Sequence, residues 1–181
     1  MVAWGKENVI LVKPDSSYAE EIRSYREEML LSGSSMDGTG SLRRVEDPME
    51  WLRQNALLEK KENVPEGKVP ATQFVLTDTE THRIYGMLQV RHELNEYLRK
   101  FAGHIGYSVR PTERRKGYAV NMLRQALRFC KEELGLQRVM VSCLVENEAS
   151  RRTILACGGV FEEKVYEFIE EVWLEKYWIT L

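Results

Sequence analysis

The sequence predicts an α/β (mixed α+β) fold, a mixed sheet with helices on its faces. Three observations carry this. Short β-branched runs alternate with polar turn segments. Several connections between those runs are amphipathic stretches at helical spacing. One run, 139–145, is apolar throughout, as in a central strand covered on both faces.

In chain order, Val9 to Val12 is a strand that stops at Pro14. Ser17 with Glu20 forms a capping box for a helix beginning near Tyr18, whose apolar face is Tyr18, Ile22, Tyr25 and Met29 and which ends at Gly33. Residues 33–46 are rich in Gly and Ser without periodicity, which predicts a mobile loop. Asp47, Pro48 and Glu50 start a second helix running to about Lys61. Strands follow at 72–78, 84–93 and 104–109, the last stopped by Pro111. A strong amphipathic helix spans 117–134, with Met122, Leu123, Ala126, Leu127 and Cys130 on its apolar face. After the 139–145 strand, Asn147 caps a short helix to about Cys157. Strands at 160–166 and 172–181 close the order β-α-α-β-β-β-α-β-α-β-β.

The chain of 181 residues fits one domain, 1–181. A formal net charge of -2 favours neither nucleic acid nor a membrane surface as partner. Cys130, Cys143 and Cys157 form no metal or disulfide pattern, and His82, His92 and His104 show no ligand spacing, so no metal is expected. The N-terminal stretch 1–8 has no long apolar run, so the expectation is a cytoplasmic protein without a signal peptide. Trp51, Trp173 and Trp178 read as packing residues, and core filling is the better reading for Met29, Met36 and Met49.

The chemistry concentrates in 106–119, Gly-Tyr-Ser-Val-Arg-Pro-Thr-Glu-Arg-Arg-Lys-Gly-Tyr-Ala. A strand ends at a proline, and a short basic loop with one glycine opens a long helix. Free amides at the helix N-terminus and its positive dipole end make an anion site. Gly117 and Ala119 are small enough to let a phosphate approach those amides, and Arg110, Arg114, Arg115 and Lys116 add positive charge. No P-loop and no G-x-G-x-x-G motif is present, which counts against an NTPase or a dinucleotide enzyme.

The same segment resembles the acyl-CoA signature R/Q-x-x-G-x-G/A of the GNAT family of N-acetyltransferases, with Arg114, Gly117 and Ala119 at its defining positions. Downstream, Asn147-Glu-Ala-Ser150 and Cys157-Gly-Gly-Val-Phe161 resemble later features of the family in the right order, and the segment 92–95 and the tail at 177–179 are similar to a bacterial group of predicted acetyltransferases. The resemblance implies a mostly antiparallel central sheet, a cofactor-binding core at about 72–165, and acetyl-CoA as co-substrate. It implies that the backbone of Tyr107 and Val109 pairs with the pantetheine arm on a splayed strand. The amides of Arg114, Arg115, Lys116, Gly117, Tyr118, Ala119 and Val120 would cradle the pyrophosphate. Asn147 would reach the pantetheine or act as a plain helix cap. The tyrosine common in the family's next helix is missing, since Ile154 and Leu155 lie there. Tyr166 and Tyr177 are the substitute acids, and Glu93 is the first choice of base, ahead of His92 and His104.

The expected reaction is direct acetyl transfer in a ternary complex to a primary amine, a small molecule or a peptide. A silent acyl-CoA-binding sensor or scaffold is the alternative, and an interaction protein without cofactor a third. The resemblance leaves a homodimer open. The irregular segments 33–46 and 94–102 are expected to shape acceptor choice.

Overall fold

A computed structural model describes residues 8–181. The expectation about the N-terminal stretch falls on 1–7 and lies outside the described residues.

Strand β1 (Val9–Val12) pairs antiparallel with β2 (Ala71–Asp78), β2 with β3 (Ile84–Arg91), and β3 with β4 (Ile105–Val109). A second sheet has the order β5 (Arg138–Leu144), β7 (Val172–Thr180), β6 (Val160–Glu167), again antiparallel. The sheet is thus parted between β4 and β5. The two halves are bonded together at the start of β4: Gly103 bridges Val141, His104 N donates to Met140 O, and Met140 N donates to His104 Nδ1.

Helices α1 (Ala19–Leu31) and α2 (Pro48–Leu58) cover one face of the first sheet. Ile22, Tyr25, Met29 and Trp51 meet Val75, Ile84 and Met87 there. Helices α3 (Tyr118–Glu132) and α4 (Glu148–Ala156) cover the other face and bridge to the second sheet. The apolar face of α3 is fully used: Met122, Leu123, Ala126 and Cys130 are wholly buried against Phe74, Leu88, Val139, Val141 and Tyr177. Each such side chain contributes about 1.5–3 kcal/mol of burial where it is large, so this layer fixes how the two sheets sit.

Several expectations need correction. The cap before α1 is Asp15, whose carboxylate accepts from Ser17 N; a 3₁₀ turn at Ser16–Tyr18 intervenes, so the Ser17 and Glu20 box does not form. Helix α2 stops at Leu58, and a separate 3₁₀ turn occupies Lys61–Asn63. The 33–46 loop is packed into the fold. Leu42 is wholly buried with Met36 and Thr39, Trp51 Nε1 donates to Thr39 O, and Gln73 Nε2 donates to Gly38 O. Composition suggested mobility because the loop's few anchors are outnumbered by small polar residues. The segment 94–102 carries a short π turn, Leu98–Ala102, pinned by Leu98 and Phe101. Of the methionines, Met29 and Met36 fill the core, while Met49 is exposed. Trp51 is wholly buried, whereas Trp173 is half exposed.

All three cysteines are free. Among the described residues no helix is long and apolar enough to cross a membrane, and no cluster of metal-ligating side chains occurs.

Candidate active site

Arg91 N donates to His104 O, and Arg110 N donates to Tyr85 O. Antiparallel pairing alternates, so the carbonyl of His104 and the backbone groups of Gly106, Ser108 and Arg110 face β3, and those of Ile105, Tyr107 and Val109 face the gap toward β5. Val145 N donates to Trp173 O, and the same alternation turns the backbone of Met140 and Ser142 toward the gap from β5. A cleft edged by the gap-facing peptide groups of Tyr107 and Ser142 therefore runs from the contact at Gly103 and His104 toward Val109, whose carbonyl accepts from Arg114 Nε.

At the open end of that cleft stands the N-terminus of α3. Asn121 N, donating to Gly117 O, makes the first bond of the helix, which leaves the amides of Tyr118, Ala119 and Val120 ahead of it. Gly117 caps the helix in the left-handed region, φ 82°, without a side-chain cap. Arg115 is also left-handed, φ 63°, which is uncommon for a residue with a Cβ and turns the loop's amides into a concave nest. The result is a concave set of free amides at the positive end of a helix dipole. Its charges are partly engaged: Lys116 pairs with Glu113 at 2.8 Å, and Arg114 donates from Nε to Val109 O at 3.1 Å and from Nη2 to Ser34 Oγ at 2.8 Å. Arg115 is exposed. Arg110 turns the other way, wholly buried between Glu21 and Glu28 of α1, and is a structural cation.

The cleft has its own side chains. Tyr107 packs with the α3 cluster, and its hydroxyl meets Ser150 Oγ at 2.7 Å, so it spans from β4 to α4. Burial pushes that phenol above its usual range. Asn147 Oδ1 accepts from Ser150 N at 3.0 Å and is used as the cap of α4. Tyr177 sits one strand from the gap, opposite Val141. Its phenol, pushed up to about 12 by burial and by the Glu175 carboxylate, donates to Glu175 at 2.7 Å; Arg151 of α4 holds the same carboxylate.

The structure does not bring Tyr166 or Glu93 to this cleft. Tyr166 lies on β6, the outer strand, separated from the gap by β7 and β5, with its ring against Phe168 and Trp173. Glu93 lies past the end of β3, half exposed, paired with Lys61 at 3.2 Å. Sequence order put it near β4, but the chain turns there: His92 N bonds Pro70 O and its ring meets Thr72 Oγ1, toward β2. His104 is a structural histidine. Its Nδ1 accepts an amide, and burial with the nearby Arg91 and Arg99 drops its pKa to about 4.

Sequence reasoning missed the opposite face of β4. Ser108 Oγ meets Tyr25 OH there at 3.0 Å, and Gly38, φ 72°, lies directly on Gly106. A Cβ at Gly38 would stand 2.1 Å from the Gly106 carbonyl oxygen, so only glycine permits this approach. Beside it opens a cavity of about 380 Å³, walled by the 38–44 loop, α2, residues 67–69 and the turn at 95–98.

An antiparallel sheet parted over a helix N-terminus, with free peptide edges leading to it, defines a protein that binds an extended phosphate-bearing cofactor. The sequence model for the acetyltransferase (GNAT) domain matches residues 9–160, and the chain belongs to that family of acetyltransferases, which use acetyl-CoA. Similar solved structures include the ribosomal-protein-S5-alanine acetyltransferase from Vibrio fischeri, at 21% identity and TM-score 0.74, covering 99% of this chain and 97% of that one. A microcin C7 self-immunity acetyltransferase, solved with acetyl-CoA and AMP, has 19% identity and TM-score 0.71, with 99% and 98% covered. The spermidine N-acetyltransferase from Vibrio cholerae, solved with CoA and spermine, has 18% identity and TM-score 0.67, with 97% and 96% covered. Among curated protein sequences none matches significantly.

Proposed function

We propose that the whole chain acts as one acyltransferase domain that moves acetyl from acetyl-CoA to a primary amine by direct attack. The observation that carries this reading is the continuity of two backbone features. The gap-facing edge of Tyr107 and Val109 runs into the free amides at the start of α3. Pantetheine amides would add to the edge as a further strand does, and the pyrophosphate would rest at Gly117 to Val120.

The thioester would then lie deep in the cleft near Tyr107. The amine nitrogen attacks the carbonyl carbon, the C–S bond breaks, the CoA sulfur takes a proton, and the proton shed by the nitrogen returns through solvent to the group that gave it. Tyr107, whose raised pKa keeps it protonated, is the phenol on the gap strand itself and supplies that proton. Tyr177 positions α4 through Glu175 and Arg151. The acceptor would enter from the α1 and α2 face, through the cavity built by the two irregular segments, 33–46 and 94–102.

A cysteine intermediate is disfavoured: burial pushes Cys130 to about 12 and Cys143 to about 11, so neither offers a thiolate at neutral pH. The test is calorimetry with CoA, followed by thiol release from acetyl-CoA over polyamines, amino acids, aminoglycosides and peptides, with mass spectrometry of the protein. Binding, turnover and no acetyl-protein support the reading. Binding without turnover would favour the silent module, and an acetyl-cysteine adduct would replace direct transfer.

A further inference from the structure

The cavity on the α1 and α2 face has a charge pattern that the transfer chemistry does not use. Arg44, Lys68 and Arg91 line it, and no acidic side chain does. None of the three makes an ion pair among the described residues, although much of the molecule's basic charge is paired, as in Lys13 with Glu59 and Arg83 with Glu113.

Arg91 is the informative member. It is partly buried at the inner end of the cavity, and its Nη1 donates to Gly103 O at 3.0 Å, at the point where the two sheets touch. Its Nη2 lies over Gly106, 3.8 Å from where a Cβ would stand. Burial holds its pKa below the usual guanidinium value, against the raising field of Asp37. That guanidinium has no direct ion pair: the Gly103 and Ala102 carbonyls hold its Nη1 and Asp37 acts on it only through its field, which leaves its other nitrogens open to a ligand anion. Arg44 and Lys68 are exposed at the cavity's outer wall. Gln89 adds an amide, and Tyr97 with Leu98 adds an apolar side.

Resting on the transfer reading above, we infer that the acceptor is a small amine that also carries an anionic group, a carboxylate or a phosphate. The anion sits among Arg44, Lys68 and Arg91 while the amine points past Gly106 to the cleft. A cavity of about 380 Å³ has room for a molecule of this class. The three cations would repel a polyamine.

The experiment uses the full chain, acetyl-CoA and matched amine pairs: β-alanine against propylamine for carboxylate, and O-phosphoethanolamine against ethanolamine for phosphate, with spermidine as the cationic control. Expected is at least about a tenfold higher kcat/KM for the anionic member of one pair, an advantage that shrinks with salt. The pair with the larger ratio identifies the anion. Arg44→Glu with Lys68→Glu, both exposed, should erase most of that advantage, raise spermidine turnover and leave CoA affinity unchanged. Preference for the neutral amines or spermidine in the parent protein overturns the inference alone. So does an anionic preference that survives the charge reversal. CoA binding without acetylation of any amine, or no CoA binding, overturns the transfer reading and the inference with it.

Discussion

Gly117 separates a cost to the fold from a cost to the cofactor. Its φ of 82° lies in the left-handed region, where an L side chain costs about 1–2 kcal/mol. In a chain of this size that lowers Tm by roughly 2–8 °C. Asn tolerates the left-handed region, so Gly117→Asn should sit at the low end. Gly117→Glu adds a carboxylate beside the cradle. A unit charge about 4–5 Å from a phosphate charge, at an effective dielectric constant of about 20, is repelled by about 3–4 kcal/mol. CoA affinity should therefore fall by roughly two to three orders of magnitude. Calorimetry with CoA at a temperature where every variant is folded, with thermal melts alongside, reads the two costs independently. The glutamate variant binding CoA within about threefold of the parent would refute the cradle, since no placement of pyrophosphate on these amides escapes that charge.

Other outcomes follow from the same geometry. Arg114→Ala removes the donors to Val109 O and Ser34 Oγ, so CoA affinity at low salt should fall about three- to tenfold, by calorimetry, through loss of the ordered strand end. Glu93→Gln breaks only a half-exposed pair with Lys61, so kcat should stay within about twofold of the parent; a larger loss would return Glu93 to the reaction. His104 has a folded pKa of about 4, below its unfolded value, so its neutral form is the one the fold favours. Stability is therefore unaffected above the unfolded pKa of about 6.5 and declines as pH falls from there toward 4, by about 3 kcal/mol at the limit. Urea titrations of His104→Gln should show a pH slope flatter by that order across the window.

The order of elements was legible because each rests on a local rule. The 3.6-residue pattern of α3, the Asp47 cap with Pro48, and the glycine at 117 identify their elements without tertiary help. The free amides at the start of α3 were legible for the same reason: they are backbone at a helix start. The parted sheet was not readable from β4 or β5 alone, because nothing in a strand's composition says which edge stays unpaired. The catalytic candidates fared worst for a related reason. Glu93 and Tyr166 are near the cleft in sequence order, but strand order in the second sheet is β5, β7, β6, which carries Tyr166 to the outside.

The two halves of the site are therefore written in different ways. The cofactor half depends on peptide groups, and it persists wherever a strand edge meets a helix N-terminus, so many sequences can encode it. The acceptor half, as inferred, depends on side chains brought from separate segments. Gly38 resting on Gly106 sets how close the 38–44 loop comes to β4, and Arg91 is aimed by its bond to Gly103. Substitutions at Arg44 or Lys68 would change the cavity's charge, while the loop's tie to the start of α3 lies elsewhere, at Ser34. Neighbours with similar folds and below 25% identity accordingly bear names that range from a ribosomal-protein to a spermidine acetyltransferase. On the acceptor inference, the discriminating information for this chain lies in the charge of a cavity rather than in its fold. The ratio of anionic to cationic amine turnover is the quantity that reads it.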